Sequence, residues 1–198
     1  MPDTVRPTLC IVAGPNGSGK TSTTIQLLNN EWAEDSIYIN PDNIAQERFG
    51  DWNSLQAVLR AAKLATEMRY KCLSDRVDFV FETVFSSEEK FQFVKKARDE
   101  GYFIRFFYVC TDDPLINVNR MTRRFLSGGH EVPVSKVISR YYKSLVKASL
   151  TIPIVDRAYV YDNSIDNQTP RLLFRTADGK LQKQYVSDIP LWAQPLLP

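Results

Sequence analysis

The eight residues "GPNGSGKT" (14–21) constrain this chain more than any other stretch. They fit the pattern G-x-x-x-x-G-K-[ST], and they join two segments of opposite character. Before them, "TLCIVA" (8–13) is a short apolar run that reads as a buried strand. After them, "KTSTTIQLLNN" (20–30) reads as a helix. A strand that curls through glycines into a helix aims backbone N–H groups and the positive helix end at one point. That point suits a phosphate. Gly14, Pro15, Asn16, Gly17, Ser18 and Gly19 would form the cradle, with Lys20, Thr21 and Ser22 opening the helix. Lys20 can reach the β- and γ-phosphates of a nucleotide, and the Thr21 hydroxyl is a metal ligand for Mg²⁺.

The rest of the chain alternates strand and helix. Strands are predicted at 36–40, 77–85, 102–110 and 157–164. Helices are predicted at 53–73, 87–101, 113–126 and from Pro133 onward. Asn53 is the expected cap of the first of these, and Leu55, Val58, Leu59 and Ala62 its core stripe. Near-continuous apolar strands in this alternation predict an α/β fold, a doubly wound and mostly parallel sheet covered on both faces. Ligands bind such sheets beyond the carboxyl ends of the strands. The stretch 170–186 reads as a small C-terminal β-hairpin turning at Asp178-Gly179. With 198 residues and 43% hydrophobic content, a single domain over 1–198 is expected.

Composition narrows the partners. A net charge of +2 argues against nucleic acid, and no surface of interleaved aromatic and basic residues is legible. Cys10, Cys72 and Cys110 are odd in number and lack metal-like spacing, which suits reduced thiols. No signal-like segment or membrane-length apolar run occurs, so a cytoplasmic protein without membrane contact is expected. A GTP switch fits poorly. "NSID" (163–166) puts Ser164 where a guanine reader needs lysine, and no D-x-x-G occurs.

Two carboxylates stand at strand ends. Asp42 follows the second strand in "YINPDN", and Glu82 closes the third in "FVFET". Transfer of phosphate to a hydroxyl needs a carboxylate near the γ-phosphate to take or orient the proton. Asp42 suits that task or, equally, the N-cap of a helix at 43–49. Glu82 is costly to bury unpaired, so it calls for a metal, water or substrate partner.

Residues 113–150 carry the basic groups of a helical lid. Arg120 and Arg124 are four apart, with Arg123 beside them, away from a Val118–Met121–Phe125 stripe. On the next helix Lys136, Arg140, Lys143 and Lys147 oppose the apolar positions Val134, Val137, Ile138, Tyr141, Leu145 and Ala148. These are two solvated basic faces, or arginines that close over a transferring phosphate. Gly128-Gly129 suits a hinge. His130 is either a capping residue or a contact to acceptor or phosphate.

Together "GPNGSGKT", "INPD", "FETVFS", "RMTRRFLSGGHEVP", "SRYYKSL" and "YDNS" resemble the zeta-toxin family of P-loop kinases, in its stand-alone branch. The resemblance implies ATP and Mg²⁺ as cofactors. It also implies phosphotransfer to an alcohol group of a small-molecule acceptor, typically UDP-N-acetylglucosamine; the residues themselves leave open another hydroxylic acceptor, an antibiotic or a nucleoside, or a non-catalytic ATP-binding regulatory module. Carried over by position, Asp42 is the base, and Lys20 and Thr21 are the phosphate and Mg²⁺ residues. Arg120, Arg124 and Arg140 form the lid, and Glu82, Thr83 and His130 lie on the acceptor side. The sequence does not itself indicate an antitoxin partner. The hairpin and the tail "DIPLWAQPLLP" fall outside the resemblance.

Overall fold

The computed structural model describes residues 6–28, 36–50, 54–129 and 131–198. Among them one sheet holds β1 (Thr8–Ala13), β2 (Ile37–Ile39), β3 (Phe79–Thr83), β4 (Phe103–Cys110), β5 (Arg157–Asp162), β6 (Arg171–Ala177) and β7 (Lys180–Gln184). The helices are α1 (Lys20–Leu28), α2 (Pro41–Phe49), α3 (Leu55–Asp75), α4 (Glu88–Asp99), α5 (Pro114–Leu126) and α6 (Val134–Thr151). Strand order is β2-β3-β1-β4-β5-β6-β7. The first five strands run parallel. β6 and β7 run antiparallel, and the hairpin turns where expected, with positive φ at both Asp178 and Gly179. Among the described residues no helix is long and apolar enough to cross a membrane.

β1 lies between β3 and β4, and its residues Leu9 to Ala13 are fully buried. Its carboxyl end therefore opens at the middle of the parallel half, where the phosphate loop begins. The main core lies on the sheet face that bears Leu9, Ile11, Phe81 and Phe106, and α2, α3, α4 and α6 pack there. The opposite face carries a smaller group, Cys10, Val12, Val80 and Phe107, flanked by Tyr38, Tyr159 and Tyr161. After β5 the chain enters the hairpin instead of a helix, so the two faces are covered unequally.

Three local readings are corrected. In α3 the predicted stripe points outward, with Leu55 74% and Leu59 61% exposed. The buried residues are Ala57, Ala61, Ala65, Arg69, Cys72 and Leu73, and the three alanines let the helix approach its neighbours closely. Its cap is Ser54, whose Oγ accepts from Ala57 N at 3.0 Å, while Asn53 lies outside the described residues. In the lid helices Phe125 and Val134 are exposed although Met121, Val137, Tyr141 and Ala148 are buried as expected. All three cysteines are buried thiols.

Candidate active site

The phosphate loop starts where β1 ends. A side chain at Gly14 would put its Cβ 2.0 Å from the Val109 carbonyl of the neighbouring strand, so only glycine fits. Gly19 adopts φ 90°, and a Cβ there would meet Asn163 Nδ2 at 2.2 Å.

Side chains from three elements hold the loop. Asn117, wholly buried on α5, donates Nδ2 to the Asn16 carbonyl at 2.6 Å, and Thr111 donates to its Oδ1. Arg140 on α6 donates to Asn16 Oδ1 at 3.2 Å. Asn163, just after β5, donates Nδ2 to the Ser18 carbonyl at 2.8 Å. Arg120 donates to the carbonyls of Asn163 at 2.9 Å and Gly17 at 3.4 Å. It also pairs with Asp166 at 2.7 Å, as Arg123 does at 2.9 Å. These two arginines hold the Asp166 carboxyl below the usual range. Arg120 therefore fastens α5 to the cradle.

Lys20 donates Nζ to the Pro15 carbonyl at 2.9 Å, across its own loop. Burial lowers its pKa from the ordinary 10.5, against the opposing pull of Glu82 and Asp42. Arg124 also acts on this charge, so Asp42, Glu82 and Arg124 all gather around Lys20. Ser22 is exposed on α1.

Glu82 is 9% exposed at the end of β3 and accepts from three hydroxyls. These are Thr21 at 3.1 Å, Thr24 at 3.0 Å and Tyr38 at 3.1 Å. Its partners here are protein hydroxyls, which the sequence reading did not include. Tyr38 in turn accepts from Asn40 at 2.9 Å, and burial together with Glu82 raises its pKa. Thr21 and Glu82 offer adjacent hard oxygens of the kind Mg²⁺ takes beside nucleotide phosphates. Among the described residues no group of three or more His, Cys, Asp or Glu forms a metal cage. The neighbouring Thr83 hydroxyl accepts from Phe85 N at 3.1 Å and so supports the turn after β3.

Asp42 is not the cap of α2. Asn40 is, accepting from Asp42 N at 2.9 Å, with Pro41 in the first turn. The helix starts earlier than predicted because Pro41 is already shaped for a first turn. This overturns the capping alternative. The Asp42 side chain is 71% exposed, with Arg124 Nη2 3.9 Å from its carboxylate. Gly128, at φ 88°, and Gly129 end α5, Gly129 N donating to the Arg124 carbonyl at 2.9 Å. His130 lies outside the described residues.

Asn117, Asn163, Asp166, Thr24 and Tyr38 were missed as site residues. Asn163 carried a signal inside "YDNS", and Asp166 stood in "NSID" only as a poor guanine reader; the others are ordinary residues until the fold brings them to the loop.

The cradle at the carboxyl end of a parallel sheet, with this strand order, defines a P-loop fold shared with kinases. The crystal structure of a putative kinase from Chloroflexus aurantiacus matches with a TM-score of 0.52 at 16% identity, over 70% of this chain and 78% of that one. The zeta-toxin family model matches residues 1–166, and the chain belongs to that family. The AvrRxo1-ORF1:AvrRxo1-ORF2 complex matches with a TM-score of 0.72 at 16% identity, over 99% of this chain. This chain spans 65% of the length of that solved chain, and the same complex is also known with ATP. The PezAT toxin–antitoxin system of Streptococcus pneumoniae matches with a TM-score of 0.61 at 13% identity, over 87% of this chain and 72% of that one. An uncharacterized protein of Haemophilus influenzae is 28% identical over 128 residues, 65% of this chain and 88% of that protein.

Proposed function

We propose that the protein is an ATP-dependent kinase that moves the γ-phosphate to a hydroxyl of a small acceptor. A UDP-amino sugar such as UDP-N-acetylglucosamine is the first acceptor to test. The observation that carries the reading is Asp42, an exposed carboxylate with no capping task, set beside Arg124 and near Lys20.

In this reading the backbone N–H groups of the cradle and Lys20 bind the phosphates. Lys20 then gives up its bond to the Pro15 carbonyl. Asp42 takes the proton of the acceptor hydroxyl as its oxygen bonds to the γ-phosphorus. The bond from that phosphorus to the bridging oxygen breaks, and ADP leaves. Arg124 and Arg140 face the charge that spreads over the transferred group. Thr21 and Glu82 would hold Mg²⁺, which shields the phosphate charge when bound. Glu82 thereby moves from the acceptor side to the metal side.

The test is transfer of label from [γ-³²P]ATP to a panel of hydroxylic metabolites that includes UDP-N-acetylglucosamine. Label should appear in one acceptor and vanish in Lys20→Ala, with the melting temperature of the variant measured alongside to show that the fold survives loss of the bond to the Pro15 carbonyl. Label in a different acceptor would replace the sugar and keep the kinase. Slow ATP turnover with no labelled product would sink both.

A further inference from the structure

The second face of β5, β6 and β7 assembles basic and aromatic side chains from three successive strands. Register puts Tyr159 opposite Arg175, and Arg175 opposite Lys183, along one row. A second row runs from Arg157 through Ala177 to Lys180. Side chains at paired positions share a face. Tyr161 lies near Tyr159 and Tyr185, close enough for both to act on its hydroxyl. Lys183 Nζ stands 4.9 Å from the centre of the exposed Tyr185 ring. Tyr159 is stacked on Phe107 at 4.7 Å and 7°, which fixes the ring in place.

The charge on this face is mostly positive. Its acid is Asp178 in the hairpin turn, 3.5 Å from Arg157. Asp162, at the far end of β5, is taken up by Arg171 at 3.2 Å. Among the described residues Arg175 and Lys183 have no ion-pair partner, and Arg175 Nε is buried without a hydrogen-bond acceptor. Cations interleaved with ring faces on a sheet match a flexible polyanion that carries flat groups at regular intervals. An acidic peptide would use the cations and leave the tyrosines idle.

We propose that the β5–β7 face binds single-stranded nucleic acid, with phosphates on Arg157, Arg175 and Lys183 and bases on Tyr159, Tyr161 and Tyr185. The proposal does not depend on the kinase reading.

Fluorescence anisotropy of labelled oligo(dT) and oligo(U) tests it, on the full chain, over a range of salt. Three phosphate contacts give a log–log salt slope of about −2. Lys183→Glu should flatten the slope by about 0.7 and weaken binding. Tyr185→Ala should weaken binding roughly five-fold to a hundred-fold with little change in slope. Both positions are exposed, so melting temperature and ATP binding should match the parent. Three results would each overturn the proposal. One is no oligonucleotide binding at low salt. Another is binding indifferent to Tyr185→Ala. The third is poly-glutamate that competes as well as an oligonucleotide, which would mark the face as a seat for an acidic protein.

Discussion

On the nucleotide side of the site, Asn16, Gly17 and Ser18 are each met by a side chain from α5, α6 or the loop after β5. On the side that the proposed function gives to the acceptor, Asp42 projects from the first turn of α2 with 71% of its side chain exposed, and its neighbour Arg124 is 48% exposed. A cradle fixed by several hydrogen bonds costs little reorganisation when phosphate arrives, beyond release of Lys20 from the Pro15 carbonyl. A carboxylate and a guanidinium still in water hold their charges cheaply until an acceptor displaces that water. Under the proposed kinase reading, the contrast teaches that the nucleotide side is pre-organised and the acceptor side is completed only when its substrate arrives.

Substitutions can break that contrast. The largest effect is expected at Asp42→Asn. If the residue is the acceptor base, transfer falls about 10²–10⁴-fold. ATP affinity and melting temperature stay as they were, because the cap of α2 belongs to Asn40. Steady-state rates beside calorimetric ATP binding check both halves, and a near-parent rate would return the acceptor side to a passive surface. Arg124→Ala comes next, with about 10²–10³-fold lost from kcat and little from ATP affinity, if its charge acts mainly in transfer. A weakened ATP affinity with kcat intact would put Arg124 on the nucleotide side and erase the distinction.

Asn163→Ala sharpens it from the other direction. One neutral hydrogen bond to the Ser18 carbonyl is lost, so ATP affinity should drop by up to about ten-fold while kcat at saturation holds. The smallest effect is one of pH. Burial lowers the Lys20 pKa below 10.5, and bound phosphates favour its charged form. Between the lowered pKa and 10.5, ATP binding should take up a proton and weaken as pH rises. Across the same window the ATP-free protein gains stability with pH, because the unfolded chain holds a proton that the folded one has shed. Calorimetry in two buffers of different ionisation enthalpy detects the uptake, and Lys20→Arg should abolish it.

Local signals were legible where local chemistry decides the outcome. The glycine loop after an apolar strand, Asp113 at the start of α5 with Leu115 N donating to it at 2.7 Å, and the Asp178-Gly179 turn all stand where the sequence puts them. Choices between neighbours failed where two residues could do one job. Asn40 and Asp42 are both good caps, and Pro41 between them decided for Asn40. In α3 two stripes have helical spacing. The bulkier one reads as core, but closeness to the sheet selects the alanines. Asn117 and Asn163 look like ordinary polar residues because their partners lie 101 and 145 positions away. Strand pairing, not sequence distance, hid the interleaved face, since Tyr159, Arg175 and Lys183 become neighbours only through it.

The hairpin has a consequence for how the protein survives at high concentration. All five residues of β7, "KLQKQ", are exposed, and the strand forms one border of the sheet. Unpaired N–H and C=O groups along a border are a template for another chain, and lysines there discourage it. Removing β6 and β7 would make β5 the new border. That strand alternates buried positions Ala158 and Val160 with Tyr159 and Tyr161, and only its ends, Arg157 and Asp162, carry charge. The family match stops at residue 166, just before the hairpin. A chain truncated there would retain the phosphate loop, yet its newly bared strand would invite self-association, seen as turbidity that grows with concentration.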